Sequence, residues 1–364
     1  MNVERRHQEM KILYVIEHIS TIGGLERILI EKMNALSRQC DMEVMLMTVW
    51  KDDAVPAFPI DDAVKHYCLN IEHPASTLEM VMCMPRIVKS YNKHVAELAP
   101  DVVVHFRAIG ALLIAFSTWK GYTVFEAHGA RHHNNHTWLY PLMERRVDAV
   151  VCLTTKDAAN YKKAKEVVVI PNFTTMTPSC SIVDYDREHC IFAGRLCYEK
   201  DPLRLLQIWK RVAAHRPSWI LDIYGSGEME MVVSDSIEQL GLQNHVVMHG
   251  QVGEMSSVYT QGSVLLLTSR TEGLPMVLIE AMRCGLPVVS TDCPYGPSDI
   301  VRNGENGMLV PLSDDDAFVE SLLTMMDSVD LRRQMGEKAK ETSALFAMDK
   351  IIGQWVSFFK SRTK

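Results

Sequence analysis

The sequence contains no apolar run long enough to cross a bilayer. The longest, residues 109–119, falls well short of the ~20 residues that a spanning helix needs. The opening MNVERRHQEMK has no hydrophobic core of a secretory leader. The nine cysteines are odd in number and scattered, with no Cys-x-x-Cys pair and no zinc-ligand spacing. Cys152 and Cys190 adjoin or lie inside apolar runs, which suits buried thiols in a reducing compartment. Positive charge is not in excess either. The net charge is −7, residues 1–180 carry 20 basic and 20 acidic side chains, and the remainder carries 18 against 25. Nucleic acid is therefore not expected as a partner. No internal repeat of solenoid type is present. Together these absences predict a cytoplasmic globular chain, with attachment to a membrane surface left open.

What is present is length and alternation. The 364 residues, 47% of them hydrophobic, suffice for two domains. Strand patterns at 11–17, 43–49, 64–69, 101–106, 123–127, 149–153 and 166–170 alternate with helical ones at 25–37, 77–98, 108–118 and 138–146. This is the signature of a doubly wound parallel sheet. A polar, turn-rich stretch from Pro171 through residue 186 lacks any usable period and reads as the linker. A second series follows, with strands at 189–193, 219–224 and 246–249 and helices at 202–215, 229–240 and 255–261. The expected domains are thus residues 1–173 and 174–347. The last segment, 348–364, is helical, with apolar Ile351, Ile352, Trp355, Val356 and Phe359.

The most informative stretch runs over residues 264–311. It reads as a buried strand, a polar turn, a helix ending at Gly285, a strand at 286–290, a loop and a further strand. The turn lies at the carboxyl end of a parallel strand, where open α/β sheets bind ligands. Pro275 pre-sets the first helical turn, and the N–H groups near Met276 and Val277 suit a phosphate. Glu272 and Glu280 flank the same turn. Sugar hydroxyls would satisfy such carboxylates, and a diphosphate joined to sugars would use every group there. Taken singly, Glu272 also reads as a solvated turn residue and Glu280 as a complement to the helix dipole.

The whole segment, TSRTEGLPMVLIEAMRCGLPVVSTDCPYGPSDIVRNGENGMLV, resembles the donor-binding core of the retaining GT-B glycosyltransferases, glycosyltransferase family 4. The shared pattern is a Glu, then Gly273-Leu274-Pro275, a second Glu eight positions after the first, Ala-x-x-x-Gly-x-Pro-Val-Val and a later Asn-Gly-x-Leu-Val. The resemblance implies an α/β fold of two Rossmann-like domains facing across a cleft, with the final helix crossing back to pack on the N-terminal one. It also implies a nucleotide-sugar donor, here expected to be UDP-linked, and a glycan or polyprenyl-linked acceptor in surface polysaccharide or oligosaccharide assembly.

Other elements join this reading. Gly194-Arg195-Leu196 with Lys200 resembles the family's Gly-Arg-Leu…Lys element; these cations would stabilise charge on a departing diphosphate, a task that metals perform elsewhere. By themselves they read equally as exposed surface cations. Without an Asp-x-Asp stretch placed to hold a divalent ion, neither metal nor cofactor is expected. Gly225 and Gly227 resemble the loop lining the donor site, and Gly23-Gly24 the loop near the donor phosphates or acceptor, although tight turns explain each. His128-Gly129 resembles the N-domain element that places a His beside the transferred sugar, where it would donate a hydrogen bond or brace positive charge. A half-buried structural histidine is the plainer alternative. Arg131, His132, His133 and His136 form a loop that meets an anionic acceptor or is merely solvated. Residues 80–94 mix apolar and basic side chains and suit either a core-facing helix or an anionic lipid surface. The alternative functions are a UDP-sugar 2-epimerase-like isomerase and a non-catalytic nucleotide-sugar-binding paralogue. A dehydrogenase is disfavoured, because the first strand lacks the fuller Gly-x-Gly-x-x-Gly.

Overall fold

The computed structural model describes residues 9–362, apart from residues 22, 40–41, 52–54, 130, 132–136 and 178–182. His132, His133 and His136 thus lie outside the described residues. The chain divides into two compact units, Met1–Pro171 with Asp349–Lys364, and Asn172–Met348.

The first unit contains β1 (Met10–Ile16), α1 (Gly24–Ser37), β2 (Met42–Trp50), β3 (Lys65–Ile71), α2 (Thr77–Leu98), β4 (Val102–Phe106), α3 (Arg107–Phe116), β5 (Tyr122–Ala127), α4 (Tyr140–Glu144), β6 (Ala149–Cys152), α5 (Thr155–Ala158) and β7 (Val167–Val169). Its seven strands pair in parallel in the order β3-β2-β1-β4-β5-β6-β7. Every residue of β4 is buried, as expected for a central strand covered by helices on both faces. This includes His105, whose Nε2 lies 2.9 Å from the Tyr91 hydroxyl and whose Nδ1 lies 3.4 Å from the Val124 carbonyl. Burial pushes the His105 imidazole down to about 4, so it stays neutral. At the start of α2, Ser76 accepts from the Glu79 N–H at 3.2 Å, while the Glu79 carboxylate accepts from the Ala75 N–H at 2.8 Å. Ile87, Tyr91 and Val95, spaced by four, form the buried stripe of this helix, whereas Leu78, Val81 and Met82 in its first turns are exposed.

The second unit contains β8 (His189–Ala193), α6 (Pro202–His215), β9 (Ile220–Tyr224), α7 (Glu230–Leu240), β10 (Val246–Gly250), α8 (Met255–Tyr259), β11 (Val264–Leu267), α9 (Met276–Cys284), β12 (Val288–Asp292), α10 (Pro297–Ile300), β13 (Gly307–Pro311), α11 (Asp315–Asp327) and α12 (Val329–Ser343). Its six strands are also parallel, in the order β10-β9-β8-β11-β12-β13. The last helix, α13 (Met348–Lys360), buries Ile351, Ile352, Trp355, Phe358 and Phe359. It stands with the first unit: Trp355 covers Lys32 of α1 at 4.2 Å, and Arg362 just beyond it pairs with Glu166.

Two doubly wound sheets are therefore present, and most element ends fall within two residues of the sequence pattern. Three details differ. The strand expected at 286–290 is β12, Val288–Asp292, because Pro287 has no N–H to give to a ladder. Helix α9 begins at Met276, with Pro275 outside it as the N-cap. The short helices α5 and α10 carry too few residues for a periodic signal. The stretch that reads as a linker is also docked at its far end. Val183 and Tyr185 are buried, and the Tyr185 hydroxyl donates to the Gly285 carbonyl at 2.8 Å. Buried Arg332 donates to the carbonyls of Tyr185, Met325 and Met326 and stacks 5.2 Å over Trp219.

In each sheet the strand order reverses once, between β1 and β4 and between β8 and β11. The crevices beyond the carboxyl ends of these strands are the ligand positions that such topology provides.

Candidate active site

In the second unit, the loops after β8, β9 and β10 and the start of α9 enclose a cleft of about 530 Å³. Among the residues singled out from sequence, Arg195, Gly225, Gly227, Val277 and Glu280 line it, beside Tyr224, Ser226 and Tyr259. The glycines are there for a definite reason. A Cβ on Gly225 would fall 1.9 Å from the Gly194 carbonyl oxygen, and one on Gly227 would fall 2.3 Å from that of Leu196. The Gly225 backbone has φ +134°, which side-chain-bearing residues rarely adopt. The two loops thus lie backbone against backbone, tied by Gly194 N–H to Tyr224 O at 3.0 Å and Leu196 N–H to Ser226 O at 2.9 Å. Arg195, between these ties, is exposed.

Next to this loop pair, the Lys200 ammonium donates to Glu272 Oε1 at 2.6 Å, and the Ser269 hydroxyl donates to the same oxygen at 2.6 Å. The carboxylate is 8% exposed. Both bonds end on Oε1, which leaves Oε2 to accept from a ligand hydroxyl. Lys200 is set by the short 3-10 turn at Tyr198–Lys200, whose carbonyl accepts from the Thr268 hydroxyl at 3.2 Å. Glu272 lies on the turn between β11 and α9, followed by Gly273, buried Leu274 and Pro275. Pro275 offers no side-chain cap to α9, so the N–H groups of Met276 and Val277 stand at a helix N-terminus that favours an anion. Cys293 is buried next to the Lys200–Glu272 pair. Burial first and the Glu272 charge second push its thiol up to about 12, which makes it an inert neighbour and not a nucleophile.

Sequence reasoning missed Arg270. Its guanidinium pairs with Asp201 at 2.7 Å and stacks 4.5 Å from the Tyr198 ring. Among the described residues, the group of three potential metal ligands that converges is Cys197, Glu199 and Glu228. Both carboxylates are exposed there, and burial raises the Cys197 thiol above its ordinary range.

In the first unit, a cavity of about 260 Å³ is lined by Leu25, Arg107, Glu126, His128, Gly129 and Tyr140, among others. His128 sits one residue past β5, with Nε2 2.7 Å from Glu126 Oε1. Fully buried Lys32 donates to the same oxygen at 2.6 Å and contacts Oε2 as well. Burial alone would raise the Glu126 carboxyl. The Lys32 charge and the hydrogen bonds from His128 and Lys32 together outweigh it and hold Glu126 below the usual carboxylate range. Burial lowers the Lys32 ammonium, with Glu126 working against it.

Neither Lys32 nor Glu126 was apparent beforehand as a site residue. The available signal was Lys32 standing four residues after Ile28 and four before Leu36, within the apolar stripe of α1. Arg107 was also unassigned. It opens α3 with φ 54°, a conformation that costs a non-glycine residue free energy, and its guanidinium is held by Glu26 at 2.6 Å and Glu17 at 3.6 Å. Gly23 caps α1 and Gly24 opens it; neither lines this cavity, and among the described residues nothing lies within 4 Å of a Cβ placed on Gly24. Arg131 is occupied structurally: Glu144 accepts from it at 2.6 Å, and the rings of Tyr140 and Tyr161 flank it at 5.5 and 5.6 Å.

Residues 183–342 match the family described as Glycosyl transferases group 1. The chain is 27% identical to the amylovoran biosynthesis glycosyltransferase AmsD of Erwinia amylovora over 95% of its own length and 98% of that protein. Its fold matches a lipopolysaccharide outer core galactosyltransferase, WaaB, with a TM-score of 0.82 at 20% identity, covering 97% of this chain and 100% of that one. It also matches HepE from Anabaena, solved with UDP and glucose, with a TM-score of 0.74 at 17% identity over 97% and 100% of the two chains. The matched segment contains Arg195, Lys200, both loop glycines, Glu272 and Glu280. By its relatives and its architecture the chain is a GT-B glycosyltransferase, and residues 183–342 are the part of it that matches glycosyl transferases group 1.

Proposed function

We propose that the protein transfers a hexose or N-acetylhexosamine from a UDP-linked donor to a glycan or polyprenyl-linked acceptor, with retention at the anomeric carbon and without a metal ion. The observation that carries this reading is the Lys200–Glu272 pair at the turn opening α9, beside a cleft lined by Arg195 and Glu280. A nucleotide sugar has matching parts. Its diphosphate would meet Arg195, Lys200 and the helix N–H groups near Met276, its ribose hydroxyls would meet Glu280, and its sugar hydroxyls would meet Glu272. HepE, solved with UDP and glucose, supports the choice of donor class. As the bond from C1 to the phosphate oxygen breaks, negative charge grows on the leaving diphosphate, and fixed cations stabilise it most at the transition state. The acceptor hydroxyl forms the new bond to C1 on the same face, and its proton passes to the departing phosphate. His128 acts on the sugar being transferred.

The acceptor class follows from the polysaccharide-building relatives, and α2 fits it. Exposed Leu78, Val81 and Met82, followed by exposed Arg86 and Lys89, would suit the surface of an anionic membrane. Among the described residues no helix is long and apolar enough to span one.

The test is sugar release and transfer from UDP-hexoses by the wild type, Arg195→Ala and Glu280→Ala. Arg195→Ala should lower kcat by about 100-fold, as expected for loss of a charge-stabilising donor. Glu280→Ala should chiefly raise KM. Unchanged rates in both variants would contradict the assignment, and conversion of UDP-GlcNAc alone to its 2-epimer would show an isomerase instead.

A further inference from the structure

The first unit contains a charged line running from its core to the cavity at His128. Lys32 on α1 is 0% exposed, Glu126 at the end of β5 is 2% exposed and His128 just beyond is 7% exposed. Lys32 is enclosed by aromatic rings, at 4.2 Å from Trp355, 5.3 Å from Tyr14 and 5.6 Å from Phe106. A buried ion pair of this kind is a poor device for stability, since apolar residues of similar volume usually serve as well or better. Its outer end suggests another use. Two donors converge on Glu126 Oε1, the Lys32 ammonium at 2.6 Å and His128 Nε2 at 2.7 Å. An ionised carboxylate can only accept, so the imidazole must carry its proton on Nε2.

We propose that Lys32 and Glu126 are positioning residues for His128: Lys32 supplies the counter-charge that lets Glu126 hold the Nε2 proton, leaving Nδ1 as an acceptor for a hydroxyl of the transferred sugar. This rests on the reading that His128 acts on that sugar, and it specifies how. The resemblance noted above would have His128 donate; the geometry assigns it the opposite polarity. Among the described residues, titratable Arg107 and Tyr140 line the same cavity, and Tyr14 lies against Lys32. Arg107 is neutralised by Glu26 and Glu17. The Tyr14 phenol on β1 is kept protonated by burial and by the Glu126 charge. The Phe106 ring at the end of β4 lies 5.6 Å from the His128 ring.

The arrangement makes Lys32 necessary even though it meets no ligand. Without it, the buried Glu126 charge must be balanced by a second proton on His128 or by protonation of Glu126 itself. Either event changes what Nδ1 can do.

The test uses the full chain labelled with ¹⁵N-histidine and read by long-range ¹H–¹⁵N correlation at pH 7.5, with His128 assigned by loss of its signal in His128→Asn. The wild type should show His128 with a protonated Nε2 and a bare Nδ1. Lys32→Met should convert that pattern, to the doubly protonated ring or to the other tautomer. Lys32→Met/Glu126→Gln removes both charges yet keeps an amide oxygen for Nε2–H, and should restore the wild-type pattern. In donor turnover with UDP-glucose or UDP-GlcNAc, Lys32→Met should lower kcat about tenfold or more with little change in KM, the mark of an effect confined to the reacting geometry. The double variant should regain most of that loss.

A wild-type His128 bearing its proton on Nδ1 would overturn the proposal without any variant. So would a His128 pattern unchanged by Lys32→Met. If the nitrogen pattern is as expected but His128→Asn turns over donor at the wild-type rate, the positioning geometry stands and the role of His128 in transfer is what fails.

Discussion

Two glycine pairs stand out in the sequence as ligand-facing, and the structure predicts opposite behaviour for them. In Gly225→Ala the new Cβ would lie 1.9 Å from the Gly194 carbonyl oxygen and 2.9 Å from its carbon. Both are backbone atoms and cannot rotate away. The backbone conformation at φ +134° costs a non-glycine residue about 1–3 kcal/mol. Relieving the overlap also parts two loops joined by the Gly194–Tyr224 and Leu196–Ser226 hydrogen bonds, and each such bond contributes about 1 kcal/mol. The expected loss of stability is therefore about 2–5 kcal/mol. Gly24→Ala meets no atom of the described residues within 4 Å and sits at the first position of α1, so it should leave stability unchanged or raise it by up to about 1 kcal/mol. Urea unfolding followed by tryptophan fluorescence, with sugar release from the donor in parallel, separates the cases. Gly225→Ala should lose stability and activity together. Any activity lost in Gly24→Ala at full stability would report a ligand lying against that backbone. Gly225→Ala within about 1 kcal/mol of the wild type would refute the close packing of the two loops, since overpacking a fixed contact ordinarily costs at least that much.

Two further predictions concern buried polar groups. His105 is held neutral down to about pH 4, whereas an unfolded histidine titrates near its ordinary 6.5. Between those values the unfolded chain binds the extra proton, so stability falls as the pH is lowered from about 6.5 to about 4, by up to about 3 kcal/mol. His105→Gln should flatten the slope of urea stability against pH in that window, and an unchanged slope would contradict the assignment. Arg332→Met should cost about 2–5 kcal/mol, because three buried carbonyls lose a charged donor, and Arg332→Lys should recover only part of it. Thermal unfolding of the two variants checks the order.

Fold and site were legible in the sequence to different degrees, for physical reasons. Segments 77–98, 189–193 and 202–215 coincide with α2, β8 and α6, because long amphipathic helices and continuously apolar buried strands leave a clear period. Glu272, Glu280, Arg195 and Lys200 stood out through the resemblance of their whole segments to known glycosyltransferases, since singly each also reads as an ordinary exposed charge. The core of the first unit did not announce itself. Lys32 reads as one polar residue among apolar ones, and its value depends on Glu126, 94 positions away, and on Trp355 from the last helix. Such partners are supplied by the tertiary fold alone. The same holds for Arg107, whose left-handed backbone and two carboxylate partners have no local signature, and for Tyr185, which lies in a stretch that reads as free linker yet anchors Arg332. The loop glycines were visible but under-read. Their positions follow from two backbones in contact, which fits a ligand site yet does not by itself require one.

The central claim is a metal-free site for a nucleoside diphosphate, built from Arg195, Lys200 and the amino end of α9. Calorimetric titration of the purified protein with UDP, GDP and ADP, each with and without EDTA, tests it most directly. The account predicts micromolar binding of UDP, unchanged by EDTA and lost together with Arg195 and Lys200. Binding of none of the three, or binding that EDTA abolishes, would contradict it.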